Sequence, residues 1–184
     1  MTMTADERAS AAMWAIRPEL PIDLDQVHDL HRAAFPGPME ADLVDAIRSS
    51  ALYVPEGSLV AVTEDGSVLG HVLLSQVSLE REGFPPTDVL ALAPLAVLPP
   101  HQGRGIGSAL ARAAVAAADA RVEPMTVVLG APHFYGRFGF VPARLHHVTG
   151  PWPEAADAFQ VRPRADLEVV PSGTVVYPPA FDSF

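Results

Sequence analysis

The chain has 184 residues, 49% of them apolar and 18% charged, which fits a folded domain with room for a core and excludes a disordered chain. Its net charge of −10, with Arg as the only strong base and no Lys, excludes a P-loop lysine and a Schiff-base lysine and argues against nucleic acid as a partner. Cysteine is absent, so disulfides, a thiol nucleophile and Cys-type zinc sites are excluded as well.

No apolar run reaches the roughly 18 residues of a membrane span, so no membrane partner is expected and a cytoplasmic setting is the default. Residues 1–13 carry acids and no apolar stretch of a secretory signal, and are expected to form a loose tail ahead of a single domain over residues 14–184. The acidic balance favours a cationic or neutral second substrate over an anionic one.

In chain order, Trp14–Arg17 predicts a first strand. Asp23, with Gln26 three residues on, reads as a helix N-cap, and Leu24, Val27, His31 and Phe35 follow at helical spacing. Pro36-Gly37-Pro38 ends that helix, and Glu40–Ser50 predicts a second with acids in its first turn. Leu59–Glu64 and Val68–Leu79 predict a hairpin joined by Asp65-Gly66. Val89–Leu98 has no charge, as a strand buried on both faces requires, and Pro94 within it predicts a bulge.

A helix from Ile106 to about Ala120 is expected to bury Ile106, Leu110, Ala113 and Ala117. Met125–Leu129 predicts the next strand and Pro132–Phe138 a short helix. Further strands are expected near Phe159–Arg162 and Val169–Tyr177. Interleaved strands and helices with an antiparallel first half make an α/β domain.

The segment Pro99 to Ser108 carries most of the functional information. It joins an apolar strand to a helix through Gly103, Gly105 and Gly107. Glycines there let an anion approach the backbone, and the first helical turn adds unpaired N–H donors and the positive end of a dipole. A phosphate group is therefore the expected ligand. A dinucleotide fold would need Gly-x-Gly-x-x-Gly near the start of a βαβ unit and an acid ending the next strand, which here reads Val-Val-Leu-Gly.

The run Leu95-Ala-Val97, Pro99 and Gln102-Gly-Arg-Gly-Ile-Gly107, followed by Tyr135-Gly-Arg-Phe-Gly139-Phe140, resembles the GNAT superfamily of acyl-CoA-dependent N-acetyltransferases. Gly70-His71-Val72, Leu129-Gly-Ala-Pro132 and Tyr177-Pro-Pro-Ala-Phe181 are similar to a bacterial subgroup of it, so the resemblance runs from about Trp14 to the end. It implies an α/β GNAT fold: a mixed, mostly antiparallel sheet, splayed at the CoA-binding strand and flanked by helices.

It also implies acetyl-CoA as co-substrate and no metal. Leu95, Ala96 and Val97 would meet the pantetheine arm, and Gln102, Gly103, Arg104, Gly105, Ile106, Gly107 and Ser108 the pyrophosphate. Arg104 and Arg112 would add positive charge, a backbone N–H near Val97 would meet the oxyanion, and Tyr135 would be the general acid. The acceptor is then a primary amine, on a small molecule or on a protein or peptide, attacked directly in a ternary complex. A homodimer is compatible with the family pattern.

An amine near pKa 10 is mostly protonated at pH 7, which costs about 4 kcal/mol over roughly three units, so a base, or a desolvated site that lowers the amine pKa, is needed. Many relatives carry a Glu on the strand that here reads Leu90–Leu98, and this strand has no acid. His71, Glu40 and His133 are the candidates, with Phe35, Glu40 and His71 expected on the substrate side. Phe35, Met39 and Phe84 are expected to flank the acceptor slot and Trp152 to cap it. His28 and His31 lie one helical turn apart but lack a third ligand, so packing or surface positions are expected of them. The missing acid keeps a second reading open: an inactive GNAT-fold module that binds acyl-CoA in a regulatory role.

Overall fold

The computed structural model describes residues 13–181, so all of the expected tail except Met13 lies outside the described residues. Nine strands make one sheet. Its order is β1 (Trp14–Pro18), β2 (Tyr53–Thr63), β3 (Val68–Glu80), β4 (Thr87–Val97), β5 (Met125–Leu129), β8 (Phe159–Pro163) and β6 (Val141–Pro142). Strand β9 (Gly173–Val176) pairs with β3 and with β7 (Val148–Thr149). Among the described residues only β4–β5 and β7–β9 are parallel, so the sheet is mixed and mostly antiparallel, as the resemblance implies.

Helices α1 (Leu24–Ala34) and α2 (Met39–Arg48) cover one face, where Val27, Leu30, Val44 and Ile47 join Val60, Leu73 and Val77 in one core. Helix α3 (Ile106–Asp119) covers the other, where Ile106, Leu110 and Ala111 join Ala61, Val72 and Leu74. Because both faces of β3 and β4 are covered, their sequences read as continuous apolar runs rather than alternating ones.

Several expectations are corrected. Asp23 does not cap α1 with its side chain: its carboxylate accepts from Arg17 at 2.6 and 2.9 Å and from the Leu20 N–H at 2.8 Å. Gln26 instead reaches the hairpin turn, accepting from Val68 N and donating to Gly66 O. Strand β2 starts at Tyr53, six residues before the expected Leu59, and absorbs Pro55 and Gly57 in a register shift between Tyr53 and Ser58. Helix α2 runs Met39–Arg48 rather than Glu40–Ser50, and β9 keeps only Gly173–Val176 of the expected Val169–Tyr177. The buried stripe of α3 is Ile106, Leu110, Ala111, Ala114 and Ala118, so Ala113 and Ala117 lie at its margin.

Pro94 does interrupt the ladder. Val72 pairs with Leu95 but Leu74 with Leu92, so Ala93 and Pro94 together oppose one residue of β3. The extra residue inverts the alternation: Leu90 and Leu92 face α3, and so do Leu95 and Val97. Strand β4 also pairs with β5 only at Leu90–Thr126 and Ala91–Val127. Beyond Ala91 the two strands part, which is the splay expected at this strand.

Candidate active site

Two cavities open where β4 leaves β5, and Leu95 lines both. The larger, about 530 Å³, lies over the N-terminus of α3 and is lined by Val97, Gln102, Gly103, Gly105, Gly107, Ser108 and Arg137 among others. The smaller, about 250 Å³, sits between Leu92–Leu95 of β4 and Val128–Leu129 of β5, with Glu40 and Tyr135 in its wall. Among the described residues no strand pairs with the β5-facing edge of β4 from Leu92 onward.

The turn into α3 is shaped by backbone conformation. Gly103 and Gly105 have φ of 73° and 86°, in the left-handed region that glycine enters without penalty. Gly105 is the N-cap, and the first helical bond runs from Ala109 N to Gly105 O at 3.0 Å. The N–H groups of Ile106, Gly107 and Ser108 thus have no partner inside the helix. A Cβ on Gly107 would stand 3.7 Å from Leu95 and Val97 side-chain carbons and 3.8 Å from Phe134, in the floor of the cavity. The Gln102 amide donates to Val97 O at 3.0 Å, which ties the turn to the end of β4. These donors and this concavity fit a pyrophosphate.

Arg137 belongs to the same cavity and had no role assigned from sequence. Its guanidinium donates to Phe134 O at 3.2 Å and Ser108 Oγ at 3.3 Å, and lies 4.8 Å from the Phe134 ring centroid. It is a positioned cation beside the unpaired N–H groups. Arg104 is exposed between the cavity-lining Gly103 and Gly105, and Arg112 packs over Phe138 at 5.6 Å; neither side chain lines the cavity. Ala96 lines neither cavity, since its side chain lies in the α1–α2 core, and any part it plays is through its backbone.

Tyr135 sits in α4 (Pro132–Tyr135), which continues as a tighter turn to Phe138. Its ring meets Phe134 edge-to-face at 4.9 Å and Phe140 at 5.8 Å. A Cβ on Gly130 would come within 2.9 Å of Tyr135 Cδ2 and nearer still to Cε2, so only glycine leaves room for this ring. Burial pushes the phenol up to about 12, which keeps it protonated throughout the neutral range.

Across the splay, Glu40 stands in the first turn of α2. Its Oε2 is shielded from solvent and has no hydrogen-bond partner among the described residues. Phe35, Trp152, Tyr177 and Phe181 complete that end of the smaller cavity. Phe35, Glu40 and Trp152, all expected on the substrate side, are therefore brought to one place. Tyr177 and Phe181 were legible only as part of a closing motif. Met39 and His133 line neither cavity, and Phe84 packs against Arg81 elsewhere, at 3.6 Å from guanidinium carbon to ring centroid.

His71 is the largest departure. It is fully buried in β3, opposite Ala96, and lines neither cavity. Its Nδ1 is 2.9 Å from His31 Nε2 and its Nε2 is 3.0 Å from Ser58 Oγ. Ser58 donates to Glu19 at 2.6 Å, and Glu19 is held by Arg48. Burial lowers His71 well below its usual value and His31 to about 3, so both rings are neutral. This chain of polar groups belongs to the core beneath α1. His28 pairs instead with Asp45 at 2.9 Å.

A sheet opened by a bulge, with a glycine turn and unpaired helix N–H groups beside one cavity and the half-buried Tyr135 lining the other together with Glu40, is the layout of the acyl-CoA-dependent N-acyltransferase class. The comparisons agree. The Acetyltransferase (GNAT) family pattern matches residues 24–140. The uncharacterized N-acetyltransferase YhbS of Escherichia coli (strain K12) is 34% identical over 171 residues, 92% of this chain and 99% of YhbS. The crystal structure of YhbS from Escherichia coli in complex with CoA has a TM-score of 0.84 over 95% of this chain and 94% of that one. A GNAT family acetyltransferase from Brucella melitensis in complex with acetyl-CoA has a TM-score of 0.72 at 30% identity, over 93% and 99% of the two chains. The chain belongs to the GNAT family and is an N-acetyltransferase.

Proposed function

We propose that the protein transfers the acetyl group of acetyl-CoA to a primary amine by direct attack in a ternary complex. The observation that carries this reading is the meeting of the two cavities at Leu95, with donors for a pyrophosphate in one and Tyr135 and Glu40 in the other. Gly103 to Ser108 and Arg137 would hold the pyrophosphate, each charge-assisted hydrogen bond contributing about 1.5–3 kcal/mol. The unpaired edge of β4 would take the pantetheine arm as an added strand. When bound, acetyl-CoA supplies the thioester carbonyl that the amine attacks.

Glu40 accepts one proton from the incoming ammonium, which frees the nitrogen lone pair. Backbone N–H groups on the open edge of β4 face the carbonyl oxygen as negative charge develops there. The C–N bond forms, the C–S bond breaks, and Tyr135 gives its phenolic proton to the departing sulfur. The second amine proton restores the phenol, so one proton is released to solvent in all. A phenol near 12 is a weak donor to an ordinary thiolate, but the apolar wall that raises Tyr135 raises the thiolate at its side too.

The absence of an acid from the stretch Leu90–Leu98 favours the second reading, an acyl-CoA-binding module without turnover. Thiol release from acetyl-CoA across a panel of amines tests the two. Turnover that depends on the amine supports transfer; tight binding of CoA with no turnover of any amine supports the binding module.

A further inference from the structure

The smaller cavity has one charge and an aromatic wall. Of the described residues that line it, Glu40 is the single charged one, and no Arg or His is among them. Trp152, Tyr177 and Phe181 form a continuous edge-to-face row, with centroids 5.0 Å and 4.9 Å apart, while Phe35 is stacked on His31 at 5.9 Å from the opposite side. Burial pushes the Tyr177 phenol up, so that wall stays neutral. The space, about 250 Å³, is compact, and the acetyl end of the pantetheine arm along Leu92–Leu95 would take part of it.

A carboxylate oxygen held out of water without a donor is costly unless a ligand supplies one. An ammonium does so. A second charge on the ligand meets the opposite situation: a carboxylate next to the amine would face Glu40 with no cation to receive it, and a second ammonium would leave water for a wall with no second acid. The apolar remainder of the wall rewards a ligand with an apolar body.

We propose, resting on the acyl-transfer reading of this site, that the acceptor is a primary monoamine carried on a compact aromatic or branched apolar body and lacking a neighbouring carboxylate. Its ammonium binds Glu40 and its body fills the box of Phe35, Trp152, Tyr177 and Phe181. Glu40 is thus a specificity residue as well as the proton acceptor.

The test is titration calorimetry of 2-phenylethylamine, putrescine and L-phenylalanine into the full chain saturated with CoA, with turnover of the same amines measured alongside. 2-Phenylethylamine is expected to bind about ten- to a hundredfold more tightly than L-phenylalanine or putrescine, the factor that a single charge-assisted hydrogen bond is worth. Glu40→Gln should weaken 2-phenylethylamine by a similar factor while leaving the affinity for CoA unchanged. Equal or tighter binding of L-phenylalanine or putrescine by the unaltered protein overturns the inference, and so does an unchanged 2-phenylethylamine affinity in Glu40→Gln. Selective binding of 2-phenylethylamine without acetylation would sustain this inference and refute acyl transfer. Preferred acetylation of putrescine would do the reverse.

Discussion

The buried pair His31–His71 makes stability depend on pH below the ordinary imidazole value. In the unfolded chain each imidazole takes up a proton near pH 6.5; in the folded chain His31 does so only at about 3, and His71 is also held well below its usual value. Below pH 6.5 the unfolded state therefore binds more protons, and stability falls as pH falls; above it both states are neutral and the effect vanishes. At pH 5, 1.5 units below the unfolded value, His31 costs about 2 kcal/mol relative to pH 7.5 at 1.36 kcal/mol per unit, and His71 adds a cost of the same sign. Asp23 and Glu123 are held below their usual values by Arg17 and, against desolvation, by Arg121 and Gln76, so their contributions are lost at lower pH than this window. Urea unfolding between pH 7.5 and 5 measures the loss, and His31→Leu, which removes the His31 ring, should lessen it by about 2 kcal/mol. Stability that stays level from pH 7.5 to 5, or a slope unaltered in His31→Leu, would refute the assignment of neutral buried imidazoles.

Three substitutions probe the site. In Gly130→Ala the new methyl collides with the Tyr135 ring, so kcat should fall by about ten- to a thousandfold through misplacement of the phenol while the Kd for CoA holds, as read by single-turnover kinetics and calorimetry. Gly105→Ala forces a Cβ into a left-handed N-cap, and should lower stability by about 1–2 kcal/mol and weaken CoA together; thermal melts with and without CoA check both. Arg137→Ala should weaken CoA by about tenfold or more, by calorimetry, and weaken dephospho-CoA, which keeps the pyrophosphate, by the same factor.

The sequence was most informative where the chemistry is local. Strand β5 is found at the expected Met125–Leu129, the Pro94 bulge lies where a residue lacking an N–H had to break the ladder, and α3 starts at the expected Ile106. What was hidden depends on packing between distant segments. His31 and His71 are 40 residues apart, and nothing near either in the chain announces the other, so His71 read as a candidate base and substrate contact. Arg137 acquires its place only when α4 folds beside the start of α3. The start of β2 was obscured because Pro55 and Gly57, which usually end strands, are absorbed by an irregular register. The stripe of α3 was misread by one residue because a run of alanines offers no contrast between its faces.

If Tyr135 and the turn at Gly103–Ser108 serve one acyl transfer from acetyl-CoA to an amine, removing the phenol must slow transfer without loosening the cofactor. Acetyl-CoA binding and amine-dependent CoA release, measured side by side for the parent protein and Tyr135→Phe, separate those two effects. Amine-dependent release by the parent is expected, with a kcat about a hundred- to ten-thousandfold lower in Tyr135→Phe and an acetyl-CoA Kd shared by both. Equal kcat in the two proteins would contradict a role for the phenol in transfer.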